Sequence, residues 1–250
     1  MNQFYLTLPS DSSSKFYPKN TTACFKTKLS ERIELDGEYE VGLAQLIYPH
    51  SWFNFNNKKN QFSVSYLPDD GGAEIVTTLR SGNFPDERTL AIVLIDWISI
   101  TGILFKWDPW ERKMELVITN KVEGKFSMSE DLAAYLGFDN PGPYGSGSYL
   151  ADHAFDLRGN VRMFYVYSDI VSYSPVGEKR VPLLRVCETQ GVFGKMISTT
   201  FTHPHYVPLA RSSFETIEIN INNELGKPMP FEFGKTVVTL HFRKKNRLLL

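Results

Sequence analysis

The 250-residue sequence is poor in cysteine, with only Cys24 and Cys187. Two thiols cannot form a disulfide framework, and by themselves they cannot supply the four ligands of a structural zinc site. Their small number fits a protein of a reducing compartment, and a single disulfide between them is the alternative. An excess of charge is also lacking, because 27 Lys and Arg residues face 28 Asp and Glu residues, for a net charge of −1. Bulk charge therefore predicts no general attraction to nucleic acid or to a membrane surface.

Long apolar runs and targeting signals are missing too. The most apolar stretch, 90–105, contains Asp96 and Gly102. It falls short of the roughly 20 apolar residues that cross a bilayer. The first residues have no basic region followed by an apolar one, so they do not resemble a secretory signal. We therefore expect no membrane segment.

Familiar catalytic motifs are not found: the sequence has no Gly-rich phosphate loop with Lys, no GxSxG, no HExxH and no CxxC. His203 and His205 are metal-ligand candidates, because two histidines at i and i+2 of a strand point the same way. A cupin-type site also needs a carboxylate soon afterwards, and 206–210 offers none. His241 would join the pair only through the tertiary fold. We expect no metal, no cofactor and no enzyme activity, and the rival interpretation is a metal-dependent, cupin-like enzyme.

The sequence is rich in short segments in which apolar and polar residues alternate. The clearest are 61–68, 214–222 and 235–245. Roughly ten such segments, separated by turn residues every 8–12 positions, are typical of a β-sandwich or barrel and not of alternating βαβ units. Pro182 indicates that the strand over 179–188 lies at a sheet edge or carries a bulge.

The period changes in the middle of the chain. Apolar residues recur at helical spacing over 86–101, and Pro85 precedes them, so this segment is predicted to be a helix. Segments 103–107 and 113–119 flank an Asp-Pro turn and predict a hairpin.

A second, short helix is expected to begin after a cap at Ser127 or Ser129 and to end at Gly137. The predicted fold class is therefore mainly β, a jelly-roll β-sandwich with a small α+β insert between strands. Residues 1–80 and 139–250 are expected to form the sandwich. Residues 81–138 are expected to form the inserted strand-helix-hairpin-helix module.

Two exposed features are candidate interaction sites. The C-terminal segment 243–250 is basic and then apolar, a predicted tail. It is either a solvated chain end or an interaction tail for an acidic partner, nucleic acid or an import receptor. Its cations are Arg243, Lys244, Lys245 and Arg247. In the insert, Trp107 and Trp110 flank the predicted hairpin turn, where they either pack in a core or interface or form a sugar-stacking tip.

Three stretches of strand and turn sequence carry a family resemblance: 4–54, 174–186 (SPVGEKRVPLLRV) and 205–245. The middle of the chain adds GNFPDERTL and LAAYLGF. Together they resemble the minor capsid (penton) proteins of Polinton/Maverick elements and related adintoviruses, over most of the chain.

The resemblance implies a structural jelly-roll protein of the virion, assembled inside the host cell. It implies a homopentamer at the vertices of an icosahedral shell, beside a double-jelly-roll major capsid protein. The insert would then lie at the outer surface, where it would meet a host surface ligand. The alternative from a different class is a carbohydrate-binding or attachment β-sandwich.

Overall fold

The computed structural model describes residues 2–58, 61–157 and 161–245, and places strands where the sequence alternates. The chain divides into a first unit, Met1–Trp52 with Asn160–Leu250, and a second unit, Phe53–Gly159. In chain order the elements are β1 (Gln3–Pro9), β2 (Cys24–Glu34), β3 (Tyr39–Pro49), β4 (Ser63–Pro68), β5 (Ile75–Thr78), α1 (Glu87–Ile98), β6 (Ile103–Asp108), β7 (Lys113–Ile118), β8 (Gly124–Met128), α2 (Glu130–Leu136), β9 (Gly147–Leu150), β10 (Met163–Ser168), β11 (Ser174–Val176), β12 (Lys179–Val181), β13 (Leu183–Glu188), β14 (Met196–Thr200), β15 (Tyr206–Pro208), β16 (Ser213–Asn223) and β17 (Val237–Lys244).

The first unit is a jelly roll. One sheet has the order β1-β17-β3-β14, with β15 also paired to β3, and the other has the order β13-β10-β16-β2. The first strand of the chain pairs with the last, and all pairs within the two sheets are antiparallel. Successive main strands alternate between the two sheets, except that β10 and β13 pair within one sheet. This arrangement confirms the predicted fold class.

The inner faces of the two sheets form the core of the jelly roll. In β16, Ile217, Ile219 and Ile221 are fully buried, as their alternation predicts. The rings of Phe214 and Phe242 lie 5.9 Å apart, so β16 packs over β17. The ring of Tyr48 meets that of Phe164 at 5.0 Å, so β3 packs over β10.

The second unit has its own hydrophobic core. Its sheets have the orders β5-β4-β8 and β6-β7-β9, so the predicted hairpin over 103–119 is confirmed. Helix α1 is capped by Asp86 at its start and by Ser99 at its end. Ser99 has a φ of 53°, in the left-handed region, so the helix ends at Ile98 and not at the predicted residue 101. Helix α2 begins at the Ser129 cap and ends at Gly137, as predicted. Neither helix, nor any other within the described ranges, is long and apolar enough to span a membrane.

The boundaries predicted for the insert are wrong. Strands β4 and β5, expected in the sandwich, pair with each other and with β8, and β9 pairs with β7. The inserted unit therefore runs over Phe53–Gly159 and not 81–138. The alternation in 61–79 correctly shows a hairpin, but alternation is local and does not show which sheet a hairpin joins.

The chain leaves and re-enters the jelly roll at one place. After β3, His50 Nδ1 lies 3.0 Å from the carbonyl oxygen of Gln190. Before β10, the carbonyl oxygen of Val161 accepts a 3.0 Å hydrogen bond from Thr189 Oγ1. Because both ends meet the same segment after β13, a whole unit can be inserted between β3 and β10 without separating them.

Candidate functional sites

The three candidate histidines are not grouped as metal ligands in the described part of the chain. His203 and His205 are exposed in the irregular segment between β14 and β15, on either side of Pro204 and not on a strand. His241 lies in β17 and is 7% exposed. Within 2–58, 61–157 and 161–245, no three His, Cys, Asp or Glu side chains are grouped so that they could hold a metal ion.

His241 instead belongs to an aromatic cluster on the outer face of the first sheet. Its Nδ1 is 2.7 Å from the hydroxyl of Tyr206, and its ring stacks on Tyr5 with centroids 4.3 Å apart. Burial lowers the pKa of His241, and the nearby Arg243 guanidinium lowers it further. Both effects favour the neutral imidazole.

The sheet register explains why these rings meet. Tyr5 lies opposite His241, and His241 and Tyr206 both lie opposite Gly42 of β3. A Cβ on Gly42 would come within 2.8 Å of Pro204 Cβ, so the missing side chain lets the segment before β15 approach the sheet closely. His241 was a predicted ligand candidate, but no local pattern predicts this cluster, because its members are far apart in the chain.

A second row of side chains runs beside the aromatic one. In the strand register, Thr7 lies opposite Thr239, Thr239 lies opposite Gln45, and Gln45 lies opposite Thr200. The two rows border a groove of about 410 Å³, which we call the Tyr5 groove. Its lining includes Tyr5, Gln45, Thr200, Tyr206, Thr239 and His241.

The predicted C-terminal tail starts later than residue 243. Arg243 and Lys244 are the last residues of β17, and the backbone N–H of Lys245 donates to the carbonyl oxygen of Glu38 at 2.8 Å. The Arg243 guanidinium pairs with the Glu40 carboxylate at 2.5 Å. It also lies 3.5 Å from the ring centroid of Tyr206. Arg243 is therefore part of the sheet surface, because strand pairing continues past the last apolar residue of the segment.

The last predicted tail cation, Arg247, lies outside the described residues. Lys244 and Lys245 are exposed.

The two cysteines do not bond to each other. Both are free thiols, with Cys187 in β13 and Cys24 in β2, the outer strands of the second sheet. Two strands separate them, a distance of about 14 Å at ordinary strand spacing. Disulfide formation needs Cα atoms within about 7 Å. Burial raises the pKa of the Cys187 thiol to about 12, so the thiol is unreactive.

The sandwich has two different open sides. Because β17 packs over β16 and β3 over β10, strands β1 and β2 lie along one side and β13 and β14 along the other. As predicted from Pro182, β13 is an outer strand, and its register with β10 shifts between Val166 and Tyr167. Such irregularities help to prevent uncontrolled pairing of sheet edges.

An apolar patch, which we call the end patch, lies where the β13–β14 turn meets the segment between β16 and β17. Val192 is 64% exposed, Met196 53% and Phe233 50%. The rings of Phe193 and Phe233 lie 5.8 Å apart. Met196 also lies beside Gly234, because a Cβ added to that glycine would be 3.8 Å from Met196 Sδ. Contiguous exposed apolar groups of this kind mark interaction surfaces more often than scattered ones do.

In the second unit, Trp107 and Trp110 have different environments. Trp107 packs edge-on against Phe155 at 6.2 Å, whereas Trp110 is 93% exposed at the tip of the β6–β7 hairpin. The tip is held by Asp108 Oδ1, which accepts a 2.8 Å hydrogen bond from the backbone N–H of Trp110. The carbonyl oxygen of Arg112 accepts a further 2.9 Å bond from the N–H of Phe155. The indole of Trp110 thus projects from a fixed backbone.

Comparison with known proteins gives structural matches. No protein-family model matches the sequence, and no curated protein matches it. The mavirus penton protein, crystallised in selenomethionine form, has a TM-score of 0.52 at 11% identity, over 98% of this chain and 100% of its own. A chain of the Sputnik virophage has a TM-score of 0.49 at 12% identity, over 98% of each chain. The likeness to the mavirus protein shows a shared fold, and it extends over both units.

Proposed function

We propose that this chain is a structural capsid protein, the penton (vertex) subunit of an icosahedral shell. In this proposal it assembles as a homopentamer beside a double-jelly-roll major capsid protein, in virions of the Polinton/Maverick and adintovirus type. The observation that carries the proposal is the fold shared with the mavirus penton protein over 98% of this chain and 100% of that one. The resemblance of 4–54, 174–186 and 205–245 to the same class of proteins supports it independently.

The two open sides of the sandwich suit a ring. A cyclic pentamer is built from heterologous contacts, so each subunit must offer two different surfaces that fit each other. The β1–β2 side and the β13–β14 side are two different surfaces, since they consist of different strands, and we assign them to the two halves of this contact. The end patch includes the turn between the outer strands β13 and β14, and the buried centre of an interface is more apolar than the remaining surface. We therefore place a neighbouring copy of the chain against the end patch.

The mass of the protein in solution tests this proposal. Light scattering behind a sizing column should show five subunits, either for the protein alone or after co-expression with a double-jelly-roll major capsid protein. Met196→Lys should abolish this species, because it puts a charge into the apolar end patch. Val76→Lys is the matched control, since Val76 is 61% exposed in the second unit. A monomer or a trimer under both conditions would contradict the proposal.

A second candidate function, attachment to a host surface through the inserted unit, is favoured by the exposed Trp110. An indole that is 93% exposed on a fixed hairpin tip is well suited to anchor a partner. Trp110→Ala should reduce binding of labelled protein to host cells and leave the solution mass unchanged. Equal cell binding by both proteins would refute a role for this tip.

A further inference from the structure

The Tyr5 groove combines a fixed aromatic ring with a wide opening. Tyr5 is 64% exposed, although its ring is stacked on His241 at 4.3 Å with an interplanar angle of 13°. His241 is in turn held by the hydroxyl of Tyr206 at 2.7 Å. One face of the Tyr5 ring is therefore fixed from below while much of the residue faces solvent. A ring held in this way binds at a low cost in conformational entropy.

The other border of the groove is polar and uncharged. Thr200, Thr239 and Gln45 contribute hydroxyl and amide groups. The Gln45 amide nitrogen donates to Ser198 Oγ at 3.2 Å and the Thr239 hydroxyl bonds that of Thr7 at 3.4 Å, and the Gln45 and Thr239 oxygens keep lone pairs that can accept. Among the described residues that line the groove there is no Asp, Glu, Lys or Arg. The lining offers nothing to pair with a phosphate, a carboxylate or an ammonium group, and instead matches a neutral ligand with several hydroxyls.

We propose that the Tyr5 groove binds a neutral carbohydrate. The C–H face of a sugar ring would lie on Tyr5, whose π face is electron-rich, and the sugar hydroxyls would bond Gln45, Thr200 and Thr239. The inference goes beyond the capsid role and does not depend on it, because the groove is formed within one jelly roll. It also differs from attachment through Trp110, which lies in the other unit.

The test starts from the full-length protein, labelled and applied to an array of neutral and acidic glycans. The tightest neutral ligand is then titrated calorimetrically against four variants. Tyr5→Ala should weaken binding about tenfold, since it removes the stacking platform. Thr200→Val should weaken it about fivefold, because it keeps the shape of the side chain and removes one hydroxyl.

Two controls separate this site from other aromatic surfaces. Tyr173→Ala removes a tyrosine that is 61% exposed outside the groove, and Trp110→Ala removes the hairpin tip. Neither should change the affinity, and thermal unfolding should show that every variant is folded. The inference is overturned by an array without a neutral ligand, by unchanged affinity in folded Tyr5→Ala and Thr200→Val variants, or by a loss confined to Trp110→Ala.

Discussion

Replacing Phe242 by alanine tests whether the two sheets of the jelly roll share one cooperative core. Phe242 is fully buried on β17. Its ring stacks on Phe4 of β1 at 4.7 Å and lies 5.9 Å from Phe214 of β16. The side chain therefore joins neighbouring strands of one sheet to the facing sheet.

The expected loss can be estimated from this environment. Removing a buried Phe side chain costs about 3–5 kcal/mol, and the cost increases when the surroundings cannot collapse into the cavity. Phe4 and Phe214 are fixed by their own strands, so we expect about 4 kcal/mol. A domain is commonly stable by about 5–15 kcal/mol, so most of the stability of the jelly roll would be lost.

Hydrogen exchange read by mass spectrometry is the suitable assay, because it reports each unit separately. Peptides from 161–171 should lose protection equivalent to about 4 kcal/mol, while peptides from 113–128 should keep theirs, since that unit has a separate core. Leu225→Ala is the control, because Leu225 is 59% exposed in a turn. A loss below about 1 kcal/mol for Phe242→Ala, or an equal loss in both units, would refute the reasoning.

Three further predictions follow from the fold. A chain in which 53–159 is replaced by a short Gly-Ser linker should give a β-type circular dichroism spectrum and a cooperative thermal transition, because both ends of the gap meet the same segment; an unfolded product would contradict this. Ser129→Ala should lower the melting temperature, at a cost of about 1–2 kcal/mol, because Ser129 Oγ accepts from the N–H of Leu132 and donates to the carbonyl oxygen of Gln61 at 2.6 Å. The unfolding free energy should decrease as the pH falls below 6.5, the ordinary pKa of histidine, since burial keeps the pKa of native His241 lower and the unfolded chain takes up the proton first. His241→Phe should reduce this decrease in urea titrations at several pH values, and an unchanged pH dependence would exclude His241 as its source.

Local sequence features predicted most of the secondary structure. The alternating isoleucines of β16 predicted its buried face, because strand geometry sends successive side chains to opposite sides. Ser129 and Gly137 predicted the ends of α2, since capping depends on residues within one turn of the helix. The position of Pro182 predicted an outer strand or a bulge, because proline cannot donate to a strand ladder.

Features that depend on distant residues were not predictable from the same patterns. The hairpin over 61–79 carries no local signal of its partner β8, so its sheet was assigned wrongly. The charges of Arg243 and Lys244 suggested a free tail, but backbone pairing with β3 continues through both residues. The groove beside His241 needs Tyr5, Gly42 and Tyr206, which only the strand register brings together.

The position of the insert would allow one chain to combine the proposed assembly with the proposed recognition. The open sides of the jelly roll belong to β1, β2, β13 and β14, while the insert joins β3 to β10, which are inner strands of their sheets. Because its ends meet the Thr189–Gln190 segment, the inserted sequence can change without altering the register of any outer strand. Selection for ring contacts would therefore act on the outer strands and their turns. Selection for surface ligands would act on features such as the β6–β7 tip, so the two proposed functions would evolve with little mutual constraint.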